Sequence, residues 1–529
     1  MLFSTTAIHS SVSERIDALF AEFNPSTPGC SVAAARHGQI FYTGSFGAAN
    51  LEHNVANGPN TRFNAASVSK QFTAAAVALL SLDGKISLDE SIRRYFPELP
   101  TYAEKITIRQ LIHHTSGLRD YSTLLVLKGS GLHNAVTSQE VMDLITRQKD
   151  TNFEPGTEYL YSNSGYFLLG ELVARVTKNT LKAFTSKRIF ARFEMPHSHF
   201  NEDHMQLIPN RAEGYLKSNC CWTGNRSRFA QVGAGGLFTT ATDLLTWNVA
   251  MYTSESPLAR LLLTRGRLSS GEELPYAFGL VYGEHNRLTT IGHGGNTGGY
   301  RSYLTWYPDQ NFSVAVLCNL DTIDTHSMAN QIAEIVLADK MSKSEPVKRV
   351  AIEIERNFLK YLSGSYTFAP NFIINITRRG KQLFAQATDQ SKHPIYPESR
   401  SKFFYRNINA QISFTFGSNR LAQEITLHQN GANLSGKRIK KTVKGNRPLE
   451  EYVGEYYNDE LDTYLNLFIE DGNLWSHIGY SDPWALRQTA QDEFTANIAS
   501  IRMQSDATGH IRGMLLNTKR VRDIYYERR

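Results

Sequence analysis

Apolar residues recur with helical period at Val12, Ile16, Leu19, Phe20 and Phe23, and Ser11 precedes Glu14 at capping-box spacing, so the chain opens on an amphipathic helix. Two strand-like runs come next, Ser31 to Ala35 and Gln39 to Thr43, separated by His37-Gly38, which predicts a tight hairpin. The run Gln71 to Leu80 is almost wholly apolar and reads as a buried helix, opened by Ser67-Val68-Ser69-Lys70 and closed near Gly84. Helical patterns continue at Thr107 to His114 and Ser138 to Gln148. Strands return at Ser302 to Tyr307 and Phe312 to Leu317, on either side of Pro308-Asp309-Gln310-Asn311, before a helix marked by Met328, Ile332, Ile335 and Val336. A sheet assembled from both ends of this region and covered by helices buries all these faces, so the pattern predicts an α/β fold.

Around Met341-Ser342-Lys343-Ser344-Glu345-Pro346 the texture changes to short strands separated by Gly, Asn and Asp turns, which predicts a linker. The chain beyond this linker is duplicated. Leu362-Ser363-Gly364-Ser365-Tyr366 is echoed by Tyr452-Val453-Gly454-Glu455-Tyr456, and each copy leads to a glycine turn (Gly380, Gly472) and a leucine strand (Leu383, Leu474). That distance is too long for a solenoid repeat, and two small β-barrel domains account for it. The expected division is residues 1–343, 344–446 and 447–529.

Composition narrows the function. The net charge of +6 is a small excess of 56 basic over 50 acidic residues dispersed along 529 positions, which makes no nucleic-acid footprint. Cys30, Cys220, Cys221 and Cys318 are too few and too irregular for a disulfide framework, which predicts thiols in a reducing compartment. No Cys/His set has metal-ligand spacing, and no cofactor is implied. The start Met1-Leu2-Phe3-Ser4 lacks a basic segment and a long apolar core, and no run of ~18 apolar residues occurs, so a soluble, cytoplasmic protein without a membrane partner is expected. Oligomeric state, a homodimer included, and the purpose of the vicinal pair Cys220-Cys221 are not legible.

Three residues of helix place Ser67 and Lys70 on one face, where an amine can take the proton of a hydroxyl that is otherwise a poor nucleophile. The same spacing recurs at Ser399-Arg400-Ser401-Lys402 in a polar stretch, so the pattern alone fits a plain helix-start serine equally well. Downstream, the turn Phe153-Glu154-Pro155-Gly156 leads to Tyr161-Ser162-Asn163, a phenol and an amide presented from a loop. Ile291-Gly292-His293-Gly294-Gly295-Asn296 stands where a strand should start, and Gly294 and Gly295 would let a substrate lie against the backbone. Singly, Tyr161 reads as a packing residue and His293 as a turn histidine. Together and in this order they read as one site.

Ser-x-x-Lys, Tyr-x-Asn and His-x-Gly resemble the motif triple of penicillin-binding proteins and class C β-lactamases, whose third motif more often reads Lys-Thr-Gly. The resemblance takes in Leu111-Ile112-His113-His114-Thr115-Ser116-Gly117-Leu118, Phe153 to Asn163 and Gly233-Ala234-Gly235-Gly236-Leu237, and so spans the region before the linker. It implies a serine β-lactamase/DD-peptidase-like α/β fold, an antiparallel sheet flanked by helices, followed here by two small antiparallel β-barrels. Ser67 to Thr73, Ser116 to Tyr121 and Asp459-Glu460-Leu461-Asp462 look most like the branch that releases N-terminal D-residues from peptides or amides.

By resemblance Ser67 is the acylated nucleophile, Lys70 and Tyr161 handle protons, Asn163 orients, and His293 occupies the third motif. The backbone N–H groups of Ser67 and Asn296 would form the oxyanion hole. A lysine ordinarily titrates at ~10.4, so either Lys70 is held neutral or its charge favours a Tyr161 phenolate, and the sequence leaves both open. By the same resemblance Asp482, in Ser481-Asp482-Pro483-Trp484, would belong to a loop that reaches the cleft and meets the substrate's α-ammonium; read from the residues alone, Asp-Pro is equally a hairpin turn. A histidine with an ordinary pKa of ~6.5 is mostly neutral at pH 7 and suits a substrate carboxylate less than lysine does. An N-terminal D-residue, amide or ester therefore ranks above a free C-terminus as the recognised group, and the expected partner is a small peptide, amide or ester. The competing readings are an esterase or DD-peptidase/β-lactamase of the same fold, and a non-catalytic penicillin-recognising scaffold. Completeness of all three motifs argues against the scaffold.

Overall fold

Strand Phe312–Cys318, apolar but for Ser313 and buried along its whole length, lies in the middle of the main sheet. The computed structural model describes residues 11–130, 135–218, 221–225, 231–252, 255–341, 349–369, 372–387, 392–406, 410–418, 420–429, 432–439, 447–479, 481–496 and 499–529. The limits expected after 343 and 446 fall within 342–348 and 440–446, outside the described residues, as does Cys220. By contacts the chain divides into two units: Met1–Leu118 with His133–Thr146 and Phe153–Ser342, and Arg119–Leu132 with Arg147–Asn152 and Lys343–Arg529.

The first unit holds a six-stranded sheet in the order Val281–His285, Leu288–Thr297, Tyr300–Tyr307, Phe312–Cys318, Cys30–Arg36, Gln39–Phe46, every neighbour antiparallel. Both ends of the region contribute, as the apolar pattern requires. His37 and Gly38, with φ of 52° and 82°, make the tight turn between Cys30–Arg36 and Gln39–Phe46. The opening helix Val12–Leu19 carries its capping box: the Glu14 N–H donates to Ser11 Oγ and the Ser11 N–H to the Glu14 carboxylate. Ile16 and Phe20 pack with Ile332 and Ala333 of helix Thr325–Val336 against Val32, Ala34, Val314 and Val316. Helix Ala241–Tyr252 also packs on Cys30–Arg36 and Phe312–Cys318, so the second of these strands is buried throughout and the first from Cys30 to Ala35.

Two expectations are corrected. Cys30 and Cys318 are opposed in register on adjoining strands and joined as a disulfide, not thiols. They are 288 residues apart, and only the sheet topology makes them neighbours. Asn163 is the first residue of a helix, Asn163–Thr177, and not part of a loop.

In the second unit Gly364–Ala369 to Ala432–Arg438 and Gly454–Asn458 to Ile524–Arg528 each form a closed, eight-stranded antiparallel barrel. The duplication extends to interior contacts. Tyr366 donates to the Leu362 C=O at 2.7 Å and Tyr456 to the Tyr452 C=O at 2.8 Å. The last strand of each barrel supplies an arginine to the carbonyls of that segment: Arg438 to Tyr361 and Ser363, Arg528 to Glu451 and Val453. Gly380 and Gly472, at φ 64° and 71°, turn the chain before the buried Leu383 and Leu474. The segments drawn from the first part of the sequence are tied in by a buried ion pair, Arg119 to Glu460 at 2.8 Å, with side chains 3% and 7% exposed. Gln148 and the Lys149 N–H complete that cluster.

Candidate active site

Ser67 lies not in the buried helix but in a 3₁₀ turn, Ala66–Ser69, that runs straight into helix Lys70–Leu82. A 3₁₀ turn eclipses residues three apart, which brings the Lys70 side chain directly over Ser67. The turn is braced by the Ala66 N–H donating to Asn64 Oδ1, and Ala66 has φ 47°, a left-handed backbone uncommon outside glycine. Helix Lys70–Leu82 is buried on every side as far as Leu80, and closes at Asp83 before Gly84 with φ 68°.

Lys70 is fully buried, and its Nζ lies 3.1 Å from Ser67 Oγ, 2.9 Å from Asn163 Oδ1 and 2.7 Å from the Ala234 C=O. The same end of the helix fixes the glycine-rich loop that supplies Ala234: Thr73 Oγ1 donates to the Gly233 C=O, and the Leu237 N–H donates to Ser69 Oγ. Asn163 reaches Lys70 from the first turn of its helix, where Gly165 permits close approach to Leu111. The Tyr161 ring, half-buried, has Lys70 Nζ 4.8 Å from its centroid.

His293 belongs to strand Leu288–Thr297, with its ring centroid 6.1 Å from that of Tyr161. Burial, and secondarily the Lys70 charge, hold its pKa down at about 4. Its Nδ1 is 2.6 Å from the Gly294 C=O, which can only accept, so the proton sits on Nδ1 and Nε2 is left to accept from the Tyr276 hydroxyl at 3.3 Å. The ring is neutral and turned toward Tyr276. Gly295 brings the strand against the nucleophile turn: a Cβ there would lie 2.3 Å from Ser302 Oγ and 2.4 Å from the Ala65 C=O. Gly294 is less confined, its nearest neighbour being Tyr303 at 3.4 Å. Asn296 is exposed one residue further on.

Ser67, Lys70, Tyr161, Asn163, His293 and the strand segment to Asn296 thus converge in the first unit. Asp482 lies in the second, exposed between strands Asn473–Ile478 and Trp484–Ala490. Ser399 and Lys402 flank a barrel bend, with Lys402 exposed. Two participants escape a reading by side-chain motif. The Ala234 carbonyl is a backbone group, and Tyr276 stands outside any motif. Among the described residues no His/Cys/Asp/Glu group could hold a metal ion, and no helix is long and apolar enough to cross a membrane.

Residues 16–337 match the Beta-lactamase family model. The chain is 26% identical to a D-aminopeptidase of Brucella anthropi over 95% of both chains, and 25% identical to penicillin-binding protein 4* of Bacillus subtilis over 78% of this chain and 95% of that one. Among solved structures, the octameric penicillin-binding protein homologue from Pyrococcus abyssi shares the fold at a TM-score of 0.56 and 19% identity, covering 88% of this chain and 96% of its own. The D-amino acid amidase of Ochrobactrum anthropi SV3 does so at 0.52 and 22%, covering 63% and 100%. With the family model spanning most of the first unit and a Ser-Lys pair in contact at its centre, the chain belongs to the β-lactamase family and is a serine hydrolase of that fold.

Proposed function

We propose that the chain is a D-aminopeptidase that releases N-terminal D-residues from peptides or amides through an acyl-enzyme at Ser67. The observation that carries this reading is that the likeness to D-aminopeptidase runs through both barrels, over 95% of each chain. Two of the Lys70 partners, Asn163 Oδ1 and the Ala234 C=O, can only accept, whereas the Ser67 hydroxyl can donate. A charged ammonium can donate to all three oxygens; in the neutral form that the reaction needs, two hydrogens stay on the carbonyl oxygens and the lone pair faces the Ser67 O–H. Lys70 then removes the proton as Ser67 Oγ attacks the substrate carbonyl, and Tyr161 passes a proton to the leaving amine. The N–H groups of Ser67 and Asn296 receive the oxyanion, and Gly294 and Gly295 admit the substrate against the strand. Water then hydrolyses the ester. Asp482 supplies the anion for the α-ammonium.

The test is a panel of p-nitroanilides and p-nitrophenyl esters of D- and L-alanine, free and N-acetylated. Free D-alanyl substrates are expected to be cleaved in preference to L- and N-acetylated ones. Turnover of esters alone would make the protein an esterase. The Cys30–Cys318 disulfide suits an oxidising compartment better than the cytoplasm, which non-reducing peptide mapping of protein from its native host tests.

A further inference from the structure

Helix Ile108–Ile112 ends at His113, and the next residue, His114, has φ 58°. This is the left-handed position after a helix C-cap, which ordinarily goes to glycine. A buried histidine there, 1% exposed, holds a strained backbone, and strain of this kind persists where the surroundings use it. Its C=O accepts from the Leu160 N–H at 2.9 Å and its ring Nδ1 from the Ser162 N–H at 3.2 Å, so one residue grips the chain on both sides of Tyr161. Between those two bonds the imidazole lies against the Tyr161 ring, with centroids 4.2 Å apart and 35° between the planes. Tyr166 and Tyr276 close around the same imidazole, with centroids at 5.1 and 4.6 Å.

We infer that His114 is a positioning residue: it fixes the Tyr161 phenol toward Lys70 and Ser67, and influences the rate only through Tyr161. The inference rests on the proton-transfer role proposed above for Tyr161. A glycine would satisfy the backbone at this position but would provide neither the ring contact nor the acceptor for Ser162.

A double-mutant cycle tests it. His114→Phe keeps a ring beside Tyr161 and removes the Nδ1 acceptor, while His114→Asn tolerates the left-handed backbone, keeps an acceptor and removes the ring. Rates are taken per active site titrated with a fluorophosphonate, so misfolded protein does not count. Each variant is expected to lose about tenfold or more in kcat with KM within about twofold, the effect of a misplaced catalytic group. In a Tyr161→Phe background the same substitutions are expected to change kcat by less than about twofold. An equal loss in both backgrounds would overturn the inference, as would a fall in Tm with kcat unchanged. If His114→Phe gives no titratable enzyme, His114→Asn decides alone. A Tyr161→Phe enzyme with undiminished kcat would remove the Tyr161 role itself, a failure distinct from an equal loss in both backgrounds.

Discussion

Lys70 meets two carbonyl oxygens and one hydroxyl, so the Ser67 hydroxyl can be removed without opening the site. Ser67→Ala is expected to abolish hydrolysis while costing about 1 kcal/mol or less in stability, checked by turnover and thermal unfolding. Tyr161→Phe should lower kcat ~10²–10⁴-fold, the usual worth of a positioned general acid–base group. A neutral His293 offers no cation to a carboxylate, so penicillins and cephalosporins are expected to acylate Ser67 slowly and not to be turned over efficiently; rapid nitrocefin hydrolysis would contradict this. His293 and His113 are both held down at about 4, chiefly by burial. Unfolded histidine titrates at ~6.5, so between ~6.5 and about 4 the unfolded chain binds protons that the folded chain does not, and stability falls as pH falls. Their contribution is fully present above ~6.5 and declines below it by roughly 1.4 kcal/mol per pH unit for each histidine, which urea titrations across this range would measure. At this scale the sequence was legible wherever chemistry sits in a side chain at short spacing, as with Ser67 and Lys70. It was silent on Ala234, whose contribution is a carbonyl.

Strand Leu288–Thr297 and the turn Ala66–Ser69 touch through a residue without a side chain. Gly295→Ala would drive a Cβ into Ser302 Oγ and the Ala65 C=O, so the strand must retreat from the nucleophile and carry the Asn296 N–H with it. A loss of ~10²–10³ in kcat is expected, as for removal of an oxyanion donor. Gly294→Ala, which meets only an ordinary contact with Tyr303, should cost far less, and comparing the two isolates the effect of strand position. Elements with local signals were readable: the capping box at Ser11 and Glu14, and the hairpin at His37-Gly38. Helix Asn163–Thr177 was not, because Gly165 and Gly170 weaken its helical signal while serving close packing against Leu111 and Val232.

For the whole molecule, the barrel duplication was visible because the same buried tyrosine and turn glycine recur in each copy, at Tyr366 and Gly380 and again at Tyr456 and Gly472. The Cys30–Cys318 bond was not visible, since sequence distance says nothing of strand order. Asp482→Ala is expected to lower kcat/KM for free D-alanyl substrates by ~1.5–3 kcal/mol, the value of a charge-assisted contact, and to spare N-acetylated esters. Equal treatment of both by the variant would end the case for an α-ammonium site at Asp482.

The Arg119–Glu460 pair has a consequence for biosynthesis. The ribosome delivers Arg119 341 residues before Glu460, and at ~5–20 residues per second that interval is roughly 17–70 s. Until then the helix Tyr121–Leu127, whose Leu124 and Leu127 are fully buried in the finished protein, emerges beside a cation whose carboxylate has not yet been made. Its docking therefore waits on the last barrel, and a nascent chain stalled before that point presents an apolar, positively charged segment to chaperones and proteases.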